Sequence, residues 1–160
     1  MNIRPAAAAD SSAILKIILP VFRTGETYTI DPEISEEAAI AYWMGIDKET
    51  FVAVADDEIV GTYYMKANQG GGGKHICNCG YMTADSATGK GVASAMCEHS
   101  IDHAKSAGFR GMQFNFVVST NRGAISLWEK YGFEIVGTLP GAFAHATEGY
   151  VDAFIMFRAL

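Results

Sequence analysis

Lys74-His-Ile-Cys-Asn-Cys-Gly-Tyr-Met-Thr-Ala84 is an apolar run that breaks into Asp85-Ser-Ala-Thr-Gly-Lys-Gly91 and then into a long amphipathic stretch. The pattern predicts a strand, a glycine turn and a helix. On that helix Ala93, Met96, Cys97, Ser100, Ile101 and Ala104 fall on one side, and Glu98, Asp102 and Lys105 on the other. Gly89 and Gly91 then sit at a helix N-terminus, where the first N–H groups lack intrahelical partners and the dipole adds partial positive charge. Such a turn suits a phosphate, and the absent Cβ atoms let it approach closely.

Spacing separates the kinds of phosphate turn. A Walker loop needs Ser or Thr after Gly-Lys, but Gly89-Lys90 is followed by Gly91 and Gly73-Lys74 by His75. A dinucleotide turn needs three glycines; Gly89 and Gly91 supply two, Ser94 stands at the third place, and no further βαβ pattern follows.

Thr88-Gly89-Lys90-Gly91-Val92-Ala93 resembles the acyl-CoA pyrophosphate turn of the GCN5-related N-acetyltransferases (GNAT), Arg/Gln-x-x-Gly-x-Gly/Ala. Gly91 and Ala93 match, and Thr88 stands where Arg or Gln is usual, which shifts the expected contact onto Lys90 and the backbone donors. Downstream, Asn121-Arg-Gly-Ala124-Ile-Ser-Leu127-Trp128-Glu-Lys-Tyr131-Gly132-Phe133 is similar to the family's Asn-x-x-Ala-x-x-Leu-Tyr-x-x-x-Gly-Phe signature. Two motifs in family order carry the resemblance across residues 1–160, as a single N-acetyltransferase domain.

The rest of the chain reads outward from that centre. Residues 1–5 form a short strand. Asp10 caps a helix to about Arg23, with Ile14, Ile17, Ile18 and Val21 buried and Pro20 as a bend or end. Ser35 starts a second helix to about Met44, with Ala39, Tyr42 and Trp43 as its apolar side. Residues 50–55 and 59–66 form a hairpin through Asp56-Asp57. Gly70 to Gly73 form a flexible connection, expected to be mobile. Residues 110–118, 133–137 and 150–157 are strands, with a loop over 139–149. The strand–helix–strand order from 74 to 118 requires a parallel pair joined by a right-handed crossover. The resemblance implies an α/β GNAT fold, a mixed and mostly antiparallel sheet with a central splayed parallel pair and helices on both faces.

At 160 residues, with 49% hydrophobic and 19% charged residues, the chain suits one soluble domain. A net charge of −6 argues against broad nucleic-acid binding. No apolar run approaches the ~20 residues of a membrane span, and the basic-then-apolar pattern of a signal peptide is missing; a cytoplasmic protein is expected. Cys77 and Cys79 share one strand face and with Cys97 read as buried thiols, an active-site thiol being the alternative. His99 and His103 have the spacing of a metal pair but no third ligand; they read as surface histidines, and no metal is expected.

The resemblance implies acetyl-CoA as cosubstrate. Its pyrophosphate would lie over Thr88, Gly89, Lys90, Gly91, Val92 and Ala93, and its pantetheine arm between the strands ending near Thr83 and Val118. Main-chain groups of Tyr81, Met82 and Thr83 would serve the pantetheine amides and the thioester oxygen, with Asn121 and Ser126 as further contacts. The acceptor would be the amine of a small molecule, an amino acid or analogue, acetylated directly in a ternary complex. Glu26 is the first candidate base, followed by Glu148 and Asp152, while Tyr28, Glu148 and His145 are candidates for substrate contact. Many relatives protonate the leaving thiolate with a tyrosine where this chain has Trp128, so water, Ser126 or Tyr131 becomes the candidate acid. Phe114-Asn-Phe-Val and Gly149-Tyr-Val-Asp-Ala153 look similar to azetidine-2-carboxylate and related acetyltransferases, which would make Asn115 an orienting residue. A peptide or protein amine acetyltransferase and an inactive acyl-CoA-binding domain remain alternatives, and the resemblance also admits a homodimer.

Overall fold

A computed structural model describes residues 1–160. Its elements are β1 (Asn2–Pro5), α1 (Ser11–Thr24), α2 (Glu36–Trp43), β2 (Glu49–Ala55), β3 (Glu58–Ala67), β4 (Ile76–Thr83), α3 (Val92–Ser106), β5 (Gly111–Val118), α4 (Arg122–Lys130), β6 (Glu134–His145) and β7 (Gly149–Ala159). The seven strands form one sheet in the order β1-β2-β3-β4-β5-β7-β6. Every neighbouring pair is antiparallel except β4 and β5.

Strand alternation sends side chains to two cores. Cys77, Cys79 and Met112 join Met96, Cys97 and Ile101 of α3 on one face. Val52, Tyr64 and Met82 join Ile14, Ile18, Phe22 and Trp43 of α1 and α2 on the other. Each fully buried aliphatic of this kind contributes about 1.5–3 kcal/mol relative to exposure. Ser35 caps α2 by accepting from the Ala38 N–H at 3.1 Å, as its sequence position predicts. No helix is long and apolar enough to cross a membrane.

The parallel pairing of β4 and β5 lasts for only two residue pairs, Ile76 with Gly111 and Cys77 with Met112. At the next position the Asn78 side-chain amide donates to the Gln113 carbonyl at 2.8 Å, so a side chain takes over where the ladder stops. Beyond it, β5 slips register against β7 between Phe114 and Val117, and such a bulge bends its strand. The strands therefore part, opening the sheet at its centre.

Three local expectations differ from the structure. Asp10 does not cap α1; its carboxylate takes the Arg4 guanidinium at 2.7 Å and the Ala7 N–H at 2.7 Å, because the preceding strand brings a stronger partner within reach. Helix α1 reaches Thr24, within a residue of its expected end at Arg23, so Pro20 does not end it. The loop expected over 139–149 is largely strand: β6 runs to His145. Register slips between Ile135 and Gly137 and between Leu139 and Phe143 absorb Pro140, which an edge strand tolerates because its N–H side needs no partner.

Candidate active site

The opening between β4 and β5 forms a cleft of about 280 Å³. The β3–β4 ladder fixes what its β4 wall offers. Asn68 N–H donates to the Ile76 carbonyl and Ala84 N–H to the Val60 carbonyl. Antiparallel pairs alternate in direction, so between these two bonds Asn78, Gly80 and Met82 turn their main-chain groups to β3. Cys79, Tyr81 and Thr83 turn theirs into the opening. Met82 is thus excluded from the main-chain contacts expected of residues 81–83, and its side chain is buried against α1 and α2. Cys79 presents its main-chain groups to the opening instead.

On the face shared with α3 and α4, Trp128 lies 4.9 Å from Tyr81 and 4.9 Å from Phe114, ring centre to ring centre. The Tyr81 hydroxyl reaches Ser100 Oγ at 2.7 Å. Asn121 caps α4 through its Oδ1, which accepts from the Ala124 N–H at 3.4 Å, and its side chain lines the cleft.

The glycine turn stands at the N-terminus of α3. Gly89 and Gly91 have φ of +77° and +81°, and a Cβ on either would meet no atom within 4 Å. Backbone conformation and open approach, rather than internal crowding, therefore call for glycine. Gly91 is the N-cap and supplies no side-chain acceptor, which leaves the first-turn N–H groups of Val92 and Ala93 available to an anion. Val92 is buried, whereas Thr88 and Lys90 are exposed beside the turn.

The opposite face of the opening is walled by Tyr28, Tyr42, Tyr64 and Asn115. The Tyr28 hydroxyl donates to the Tyr81 carbonyl at 3.0 Å, and burial raises its pKa. The Tyr64 ring lies on Gly80, where a Cβ would come within 2.7 Å of it; burial raises this phenol's pKa too. Asn115, exposed in the β5 bulge, donates to Asn68 Oδ1 at 2.6 Å and accepts from Gln113 Nε2 at 2.9 Å.

Several expected residues stand elsewhere. Glu26 is exposed and does not line the cleft, although Thr27, Tyr28 and Thr29 do. Ser126 is exposed on α4, outside the lining. The Tyr131 hydroxyl donates to the Glu98 carboxylate at 2.6 Å, a bond that raises the phenol's pKa; it too lies off the cleft. Glu148 and Asp152 border a separate hollow with Ser119 and Arg122. His145 accepts from the Thr147 and Glu148 N–H groups through Nδ1, so it shapes the β6–β7 turn. His99 and His103 are half-buried rather than surface residues: His99 Nδ1 meets the Tyr63 hydroxyl at 2.7 Å, and His103 Nε2 meets Glu49 at 2.9 Å. No group of three His, Cys, Asp or Glu side chains could hold a metal. The three cysteines are buried and free, as expected, and burial pushes the Cys97 thiol up to about 12. Tyr42, Tyr64 and Asn78 were not anticipated at the cleft, and no local pattern in α2, β3 or β4 marks them out.

The acetyltransferase (GNAT) family pattern matches residues 13–133. N-acetyltransferase aca1 of Schizosaccharomyces pombe is 30% identical over 148 residues, 82% of this chain and 71% of that protein. The structure of a GCN5-related N-acetyltransferase from Kribbella flavida superposes with a TM-score of 0.94 at 43% identity, over 99% of this chain and 97% of that one. A phosphinothricin acetyltransferase from Sinorhizobium meliloti, in complex with AcCoA, shares the fold at a TM-score of 0.86 and 23% identity, over 99% and 88% of the two chains. The chain belongs to the acetyltransferase (GNAT) family and is an N-acetyltransferase.

Proposed function

We propose that the protein transfers the acetyl group of acetyl-CoA directly to the amine of a small molecule, an amino acid or an amino-acid-like compound. The observation that carries this is the central opening of the sheet, which has a different wall on each face. The α3 and α4 side offers what a CoA thioester needs: free N–H groups at Gly91–Ala93, an open approach at Gly89 and Gly91, and the Asn121 cap. The thioester supplies an activated acyl group. Main-chain groups of Cys79, Tyr81 and Thr83 suit its amides and its carbonyl oxygen, and the Trp128 and Phe114 rings shield them from water.

The other side offers tyrosine hydroxyls and the Asn115 amide to the cleft of about 280 Å³ that both walls share, which leaves room for only a small acceptor beside the thioester. Asn115 orients it. Its Oδ1 and Nδ2 are pinned by Gln113 and Asn68, so the amide keeps one orientation with a second N–H to give. Holding amine and thioester together supplies much of the rate. Because Glu26, Ser126 and Tyr131 lie off the cleft, water takes the proton from the acceptor nitrogen and gives one to the departing thiolate.

A thiol-release assay with acetyl-CoA against free amino acids, cyclic imino acids, polyamines and short peptides tests this. Turnover on free amino or imino acids is expected. Turnover confined to peptides would replace the small-molecule acceptor with a protein amine.

A further inference from the structure

The acceptor wall looks at first like a cage for a cation. Three tyrosines converge on it, and aromatic faces attract ammonium groups. The protein's charge of −6 adds to that impression. The faces of two of these rings, however, already carry a positive charge. Lys48 Nζ lies 4.4 Å from the centre of the Tyr42 ring and 5.3 Å from that of Tyr64. Its side chain is 8% exposed and donates to the Tyr42 carbonyl at 2.6 Å. The one carboxylate near it, Asp47, is 3.5 Å away, largely solvent-facing, and closer to Lys66 at 3.1 Å. The Lys48 charge is therefore largely buried behind two of the rings that line the cleft, outside the lining itself, with the solvent-facing Asp47 as its counter-ion.

No side chain in the cleft counters it. The titratable groups that face the cleft are Tyr28 from the α1–α2 connection, Tyr42 from α2, Tyr64 from β3, and Cys79 and Tyr81 from β4; β5 and α4 present none. Burial raises the pKa of Tyr28, Tyr64, Cys79 and Tyr81, so these groups stay neutral. The carboxylates considered as bases, Glu26, Glu148 and Asp152, lie outside the lining, as does Arg122. An ammonium entering here would face a buried like charge in a low-dielectric site with no anion.

We propose that the cleft admits its acceptor as the uncharged amine, that Lys48 is the residue that excludes the cation, and that no cleft side chain removes the proton. The inference rests on the small-amine reading above and deepens it. An amino acid would enter with its nitrogen neutral and its carboxylate ionised, a form the Lys48 charge favours over the zwitterion. The reacting nitrogen then arrives with its lone pair free, and the proton it loses on acylation leaves to water after the N–C bond has formed.

The test uses the intact protein with saturating acetyl-CoA and two acceptors of one skeleton whose amine pKa values differ by about two units. The expected kcat/KM rises about tenfold per pH unit to an inflection at each acceptor's own pKa. One inflection common to both acceptors would mean a resident base and would overturn the proposal. In parallel, the N-trimethylated isostere of the better acceptor is tried as a competitive inhibitor. It should leave the wild type uninhibited and should inhibit Lys48→Met at least about tenfold more strongly, with a melting curve confirming that the variant is folded. Inhibition of the wild type by the isostere at the acceptor's own KM overturns the role of Lys48. Failure of every small amine to turn over, while CoA still raises the melting temperature, would instead overturn the small-amine reading and this inference with it.

Discussion

The hydroxyl of Tyr28 donates to the main-chain carbonyl of Tyr81 at 3.0 Å, across 53 residues of sequence. Tyr81 is one of the residues whose main-chain groups point into the opening, so this bond ties the α1–α2 connection to the strand that lines the cleft. It also fixes the carbonyl and leaves the N–H of the same residue as the free donor. Tyr28→Phe should cost about 1 kcal/mol of stability, the usual net worth of such a bond. Its larger effect should be on kcat/KM for the acceptor, read by steady-state kinetics beside thermal melting. A melting shift with unchanged kinetics would separate the bond from the site.

Asn115 is held by Asn68 and Gln113 and makes no bond within a regular ladder. Asn115→Ala should raise the acceptor KM by about tenfold, the value of roughly one hydrogen bond, while the melting shift produced by CoA stays as in the wild type. Equal weakening of both ligands would place Asn115 on the donor side.

Gly91 holds φ of +81° in open space. Gly91→Ala should cost about 1 kcal/mol through the left-handed backbone and weaken CoA binding further, because the new methyl group stands on the approach to the first-turn N–H groups. Calorimetric titration with CoA reads the second effect. Unchanged affinity would count against the turn as the pyrophosphate site.

Glu26 is exposed and outside the cleft. Glu26→Gln should keep kcat/KM within about twofold, whereas loss of a true general base costs on the order of a hundredfold or more. A fall of that larger size would restore Glu26 to the chemistry.

Arg4 and the Ala7 N–H hold the Asp10 carboxyl down to about 2. A carboxylate depressed in the folded state stabilises above its unfolded value near 3.8 and loses that contribution as pH falls through the folded value. Asp10→Asn should therefore melt lower than the wild type at neutral pH, and the gap should close between about pH 4 and pH 2. A gap independent of pH would mean that packing, not charge, sets it.

The strand, glycine turn and helix over 74–104 were readable because periodicity and the glycine spacing act within a few residues. Pro140 made residues 139–145 read as a loop, since the sequence does not tell that β6 lies on the edge, where a missing N–H costs nothing. Glu26 and Tyr28 are two apart in one connection; no period distinguishes the inward from the outward side chain there. Burial of a large ring decided it, and Tyr28 faces the cleft. The meeting of Tyr42, Lys48 and Tyr64 depends on how α2 and β3 cross, which no single window of sequence contains.

Two backbone pairs, at Ile76–Gly111 and Cys77–Met112, with a bond from the Arg110 N–H to the His75 carbonyl just before them, join the four strands on one side of the opening to the three on the other. The sheet is thus a pair of leaves bound along a short spine. A pantetheine arm bound there as proposed, with its amides on Tyr81 and its neighbours, would add rungs where the spine lacks them, so the acyl donor would act as structural mortar as well as reagent. Each turnover, by releasing CoA, would then loosen the seam that the next donor must close.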